Sequence, residues 1–179
     1  MMSKIAVIYA GKYGTTQQYA GWIAEEIGAD LFEAEKCRAA DVMDYDTIVF
    51  GGAIHAGGIL GIKFLKKNFS KLSGKRIFTF AVGLNVSSSQ AQEECREINF
   101  VKKLAELPCW FLPGAYDPEK VTGFDKKLMG VVKKMITGKK AEEMTEDERK
   151  LLDAIENGAS YVNREAIADL VQAVKFQEH

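Results

Sequence analysis

A chain of 179 residues with 47% hydrophobic content is long enough for one domain with a sizeable core. Its 24 basic and 25 acidic residues leave a net charge of -1, so it lacks the basic footprint of a nucleic-acid binder. No apolar run approaches the ~20 residues of a membrane-spanning helix, and no secretory leader pattern precedes the first strand. Cys37, Cys95 and Cys109 form no C-x-x-C pair and read as reduced thiols of a cytoplasmic protein. No metal-ligand cluster stands out in the sequence, and no side chain stands out as a catalyst.

The apolar run Lys4–Tyr9 predicts a first strand. It runs into the short loop Ala10-Gly11-Lys12-Tyr13-Gly14, and a helix is predicted over Thr15–Ile27 from Tyr19, Ile23, Ala24 and Ile27. A strand, a tight loop and a helix N-terminus together make an anion site, because the first helical N–H groups lack backbone partners and carry the positive end of the dipole. The loop holds one cation, Lys12, and no acid, which suits a phosphate held mainly by N–H and O–H donors.

Further strands are expected at Asp30–Ala34 and Thr47–Phe50, the latter opening into the loop Gly51–Gly58. A helix with Ile62, Leu65, Phe69 and Leu72 on one face follows, then a strand at Arg76–Val82 and the loop Gly83–Ser89. Gln90–Leu107 reads as helix, Cys109–Leu112 as the fifth sheet strand, and Asn163–Val174 as a closing amphipathic helix. Apolar strands alternating with helices predict an α/β fold with a doubly wound parallel sheet covered on both faces. The loops at 10–16, 51–58 and 83–89 all follow strands, so all three are expected at one sheet edge, where such folds bind ligands.

Other α/β sites do not fit. Gly11-Lys12-Tyr13-Gly14-Thr15-Thr16 does not match G-x-G-x-x-G, and G-x-x-x-x-G-K-[ST] is absent. A receiver domain would place acids where Ala10-Gly11 and Phe50-Gly51 stand.

The segment Tyr9-Ala10-Gly11-Lys12-Tyr13-Gly14-Thr15-Thr16 resembles the FMN phosphate loop of flavodoxins, with Tyr9, Gly14 and Thr16 at matching positions. That family usually has Ser or Thr where Gly11 stands. Phe50-Gly51-Gly52-Ala53-Ile54-His55, Phe80–Asn85, Pro113–Tyr116, Phe124–Met129 and Lys134–Gly138 extend the likeness. Together they resemble the flavodoxin-like family of menaquinone-dependent protoporphyrinogen oxidase. The resemblance implies one flavodoxin-like domain over residues 1–179, with a five-stranded parallel sheet and a helical insertion at about 114–160. It also implies FMN as cofactor and two-electron redox chemistry. Gly11, Lys12, Tyr13, Gly14, Thr15 and Thr16 are then the phosphate-side candidates. Gly52, Ala53, Ile54, His55, Leu84 and Asn85 are the ring-side candidates.

His55 is the one aromatic ring in the second loop, and the third loop has none. The flavin ring is therefore expected to be open to a substrate or quinone, or covered by Tyr116 and Phe124 of the insertion. At ~100° per residue, Phe124–Ile136 projects as a helix with Phe124, Leu128, Val131, Val132 and Met135 on one side. Lys126, Lys127, Lys133 and Lys134 take the opposite arc. Packing of the apolar stripe on the domain is the favoured reading, with peripheral contact to an anionic membrane as the other. Thr145-x-x-Glu148 has the form of a capping box ahead of a helix that buries Leu151, Leu152 and Ile155.

Three functions remain open at this point. One is an FMN oxidoreductase that passes electrons from a small reduced substrate to an acceptor such as a quinone. The second is a flavodoxin-type carrier between protein partners. The third is a flavodoxin scaffold without its cofactor.

Overall fold

The computed structural model describes residues 3–176. In chain order it forms β1 (Ile5–Ala10), α1 (Thr15–Ile27), β2 (Asp30–Glu33), β3 (Thr47–His55), β4 (Gly58–Ile59), α2 (Lys63–Leu72) and β5 (Arg76–Gly83). There follow α3 (Ser89–Asn99), β6 (Cys109–Pro113), β7 (Ala115–Tyr116), α4 (Gly123–Thr137), α5 (Glu146–Asn157), β8 (Ala159–Ser160) and α6 (Ala168–Phe176).

Five strands run parallel in the order β2-β1-β3-β5-β6, the expected doubly wound α/β sheet. Their side chains alternate between two cores. Ile5, Val7, Val49, Phe78 and Phe80 pack toward α1 and α6 together with Tyr19, Ile23, Leu170 and Val174. Ala6, Ile8, Ile48 and Phe50 face the opposite layer, with Leu65, Leu72, Cys95 and Leu104. Burial on both faces is why these strands read as continuous apolar runs. Each fully buried large side chain contributes ~1.5–3 kcal/mol.

Three elements differ from the sequence expectation. β3 continues through Gly51–His55 instead of opening into a loop, because β5 pairs with it as far as Ala53 and β4 pairs antiparallel with Ile54 and His55. Gly51 is required there: a Cβ at that position would lie 2.0 Å from the ring of Phe80. The helix expected over 90–107 stops at Asn99. Val101 is extended, Lys102 takes φ +55°, and a single 3-10 turn at Lys102–Leu104 follows. Phe100 and Leu104 still reach the core, so helical spacing persisted in the sequence after the helix had ended. The C-terminal helix begins at Ala168. A 3-10 turn at Arg164–Ile167 precedes it, started by the Asn163 side chain accepting from the Glu165 amide.

β7 and β8 pair antiparallel, Ala115 with Ser160 and Tyr116 with Ala159, at the neck of the segment between them. Within that segment Thr145 forms the expected capping box. Its hydroxyl accepts from the Glu148 amide at 3.1 Å, and the Glu148 carboxylate accepts from the Thr145 amide at 2.9 Å. Among the described residues no helix is long and apolar enough to cross a membrane.

Candidate functional site

The strand order reverses between β1 and β3, and the crevice of such a sheet lies outside the carboxyl ends of those strands. A cavity of about 510 Å³ opens there, and all three strand-end loops line it.

The first loop enters α1 with an uncapped helix end. Gly14 is the N-cap and takes φ +94°, a conformation that costs glycine least, and among the described residues no side chain closes the first-turn donors. Lys12, Tyr13, Thr15 and Thr16 line the cavity, while Gly11 and Gly14 do not. Gly11 is held bare by its neighbour, since a Cβ there would lie 2.8 Å from Thr16 Cβ and 3.0 Å from its hydroxyl oxygen. Thr16 itself is only 2% exposed.

The second loop is a hairpin. Ala56 (φ +51°) and Gly57 (φ +79°) make its two-residue turn, the left-handed pair such a tight connection needs. Asn99 of α3, itself buried, fixes it from below. Its carbonyl oxygen accepts from the Ile59 amide at 2.8 Å, and its amide donates to Gly57 O at 2.8 Å and to Cys95 O at 2.7 Å. Ala53, Ile54 and His55 face the cavity. Gly52 does not: it lies in β3, where a Cβ would come 2.3 Å from the Leu60 carbonyl oxygen.

The third loop brings Leu84 and Asn85 to the same cavity. It is tied by Ser88, whose hydroxyl accepts from the Ala91 amide, and by Gln92, which donates to Val86 O at 2.6 Å. The inserted segment forms the roof, with Tyr116, Leu128, Met129 and Val132 of β7 and α4 and Leu151 of α5.

α4 faces only in part the way the sequence projection indicates: Leu128 and Val132 of the expected stripe line the cavity. Phe124, Val131 and Met135 are 70%, 54% and 69% exposed, whereas Asp125 and Ile136 are buried. The inward face is Asp125, Leu128, Met129, Val132 and Ile136. Phe124 therefore lies outside the cavity lining, with its ring centroid 6.4 Å from that of His55.

Asp125 is the site residue the sequence reading passed over. Its carboxylate accepts from Lys12 Nζ at 3.1 Å, from the Tyr13 hydroxyl at 2.5 Å and from His55 Nε2. The Tyr13 bond contributes most to holding its pKa down, burial opposes it, and Lys12 and His55 add to it, leaving about 2. An ionised carboxylate only accepts, so His55 must carry its proton on Nε2. The same bond pushes the Tyr13 phenol up. The loop expected to hold one cation and no acid thus shares that cation with an acid 113 residues away in sequence. Asp125 is the one acid between Phe124 and Ile136. That isolation was the available signal.

Fold and cleft define the class: a doubly wound α/β domain whose ligand cavity is assembled from the loops at the β1/β3 switch point. The family model of the flavodoxin domain matches residues 6–143, and the chain belongs to that family. No protein with a curated description matches. Among solved structures, the flavodoxin WrbA-like protein from Agrobacterium tumefaciens is 16% identical, over 96% of this chain and 99% of its own, with TM-score 0.48. A flavodoxin from the domain Archaea is 17% identical over 86% and 96%, with TM-score 0.44. Flavodoxin 2 from Bacillus cereus is 18% identical over 94% and 99%, with TM-score 0.41. Residue roles in this chain therefore rest on its own geometry and on the family match.

Proposed function

We propose that the cleft binds FMN and that the protein is an oxidoreductase passing electrons from a small reduced substrate to an acceptor such as a quinone. The observation that carries this reading is the convergence of the three strand-end loops on one cavity of about 510 Å³ beneath an apolar roof. That volume suits a small-molecule site, and membership of the flavodoxin family points to a flavin as its occupant.

The residues fit the cofactor. The uncapped N-terminus of α1 offers N–H donors to a phosphate, and Lys12 and Thr15 stand beside it. At position 11, where the resembled phosphate loops carry a hydroxyl, the Thr16 hydroxyl already fills the space. The rigid hairpin through Ala53, Ile54 and His55 and the third loop at Leu84 and Asn85 would hold the ring from its two sides. Bound there, the flavin supplies the two-electron chemistry. The chain orients it, and Leu128, Met129, Val132 and Leu151 exclude water and leave an apolar approach for a second molecule. That roof favours an enzyme over a carrier, which needs no enclosed approach.

The likeness to the menaquinone-dependent oxidases is the basis for a quinone acceptor. Asp117 and Glu119 beside Lys120 make the chain after β6 less basic than in that group, so the reduced substrate is left at the level of a small molecule. The exposed Phe124, Val131 and Met135, with Lys126, Lys127 and Lys134 on the same helix, suit peripheral contact with an anionic membrane, where a lipid quinone would be met.

The test is an absorption spectrum of the purified protein before and after addition of FMN and removal of the excess, followed by turnover with a soluble quinone. Retained flavin and quinone-dependent turnover are expected. A protein that keeps no flavin overturns the reading, and flavin with reduction only by partner proteins points to the carrier. Cosedimentation with anionic but not neutral vesicles checks the membrane contact.

A further inference from the structure

α4 is fastened unevenly. Its C-terminal end is anchored by buried Ile136 and by the ion pair of Lys133 with Glu156 on α5. Its middle, at Leu128, Met129 and Val132, borders the cavity instead of a packed core. Its outer face is bare at Phe124, Val131 and Met135. Among the described residues, every polar side-chain contact from α4 to the strand-end loops goes through Asp125.

The partners of that contact are themselves informative. Lys12 and Tyr13 belong to the loop that opens at the helix N-terminus, and His55 belongs to the hairpin across the cleft. These are three of the side-chain donors that an anion arriving at this mouth would meet, and Asp125 already engages them with a nearly buried carboxylate. A phosphate monoester brought to the same loop would compete for Lys12 and repel Asp125.

We infer that Asp125 is an internal anion that latches the N-terminal end of α4 over the cleft, and that a phosphate-bearing ligand binds by displacing it. Asp125 thereby sets how strongly the site takes phosphate and couples occupancy to opening of the roof. Linkage makes this reciprocal: the latch weakens phosphate binding by the same factor by which phosphate weakens the latch. The FMN reading enters only in naming that ligand; the latch itself is a property of the free chain.

The experiment is hydrogen exchange of the full chain, as wild type, Asp125→Asn and Lys12→Met, with inorganic phosphate as the probe. In the free protein Asp125→Asn should speed exchange over the first half of α4 by about tenfold. Strands β1 and β3 should stay unchanged, and Lys12→Met should fall between. Inorganic phosphate should speed α4 exchange in the wild type and leave it unaltered in Asp125→Asn. FMN affinity should rise several-fold in Asp125→Asn while riboflavin affinity stays level, since riboflavin lacks the phosphate. Unchanged α4 exchange in Asp125→Asn overturns the latch, and a wild type indifferent to phosphate overturns the displacement. Phosphate-driven opening in a protein that retains no flavin would uphold the latch and remove FMN as the ligand. Flavin retained by a protein whose α4 ignores both perturbations would do the reverse.

Discussion

The rim of the cleft and its roof are held by different interactions. The rim is the continuation of β1, β3 and β5, whose side chains fill the two cores of the sheet, and the buried Asn99 pins its hairpin with two hydrogen bonds, to the Ile59 amide and the Gly57 carbonyl. The roof rests on a two-residue ladder, the buried side chains of Val121, Ile136, Ala154 and Ile155, a capping box, the ion pairs of Lys133 with Glu156 and Lys139 with Glu148, and Asp125. Surface ion pairs contribute ~0–1 kcal/mol, so little holds α4 apart from its ends. The rim should open only when the whole sheet does, and the roof should open locally at much lower cost. A preformed binding edge is thereby combined with a movable cover.

The largest blow to the rim is removal of a core ring. Phe80→Ala should lower global stability by ~3–5 kcal/mol, read from urea unfolding, and roof exchange should accelerate no more than the rest. Asn99→Ala leaves the Ile59 amide and Gly57 carbonyl unpaired and should cost ~1–3 kcal/mol. Its mark should be faster exchange at Gly57–Leu60; protection kept there would mean that the hairpin stands without Asn99.

Smaller perturbations separate the two regions further. Thr16→Ala should weaken FMN by ~1 kcal/mol, about a fivefold rise in Kd, if the hydroxyl meets phosphate; equal affinity would remove Thr16 from the site. Thr145→Ala should cost the roof ~1 kcal/mol through loss of the cap. The change should appear in exchange of Glu146–Asn157 and leave the strands alone. Acid should act on the roof alone. The Asp125 carboxyl is held below its ordinary value of 3.8, down to about 2, so its contribution is complete above pH 4 and is lost as the pH falls through 2. Loosening of α4 confined to that window, seen as faster exchange after correction for intrinsic rates, is the expected result. Loosening already at neutral pH would rule out Asp125 as the group responsible.

Periodicity and turn chemistry along the chain were enough for the parallel α/β sheet, for the three loops at one edge and for the Thr145 cap, because each depends on residues within a few positions of one another. Helical spacing was enough to find α4 but not to orient it. Phe124, Val131 and Met135 form as good an apolar stripe as Met129, Val132 and Ile136, and only the packed structure chose between them. The length of β3 was likewise decided by pairing, as far as Ala53 with Val82 of β5 and beyond it with β4, and the Asn99 contacts at the end of α3 join residues some forty positions apart. The meeting of Lys12, Tyr13 and His55 on Asp125 lies furthest from what local pattern can report. Its members stand 70 to 113 residues from Asp125 in the chain, and a hydrogen bond is set by distance in space.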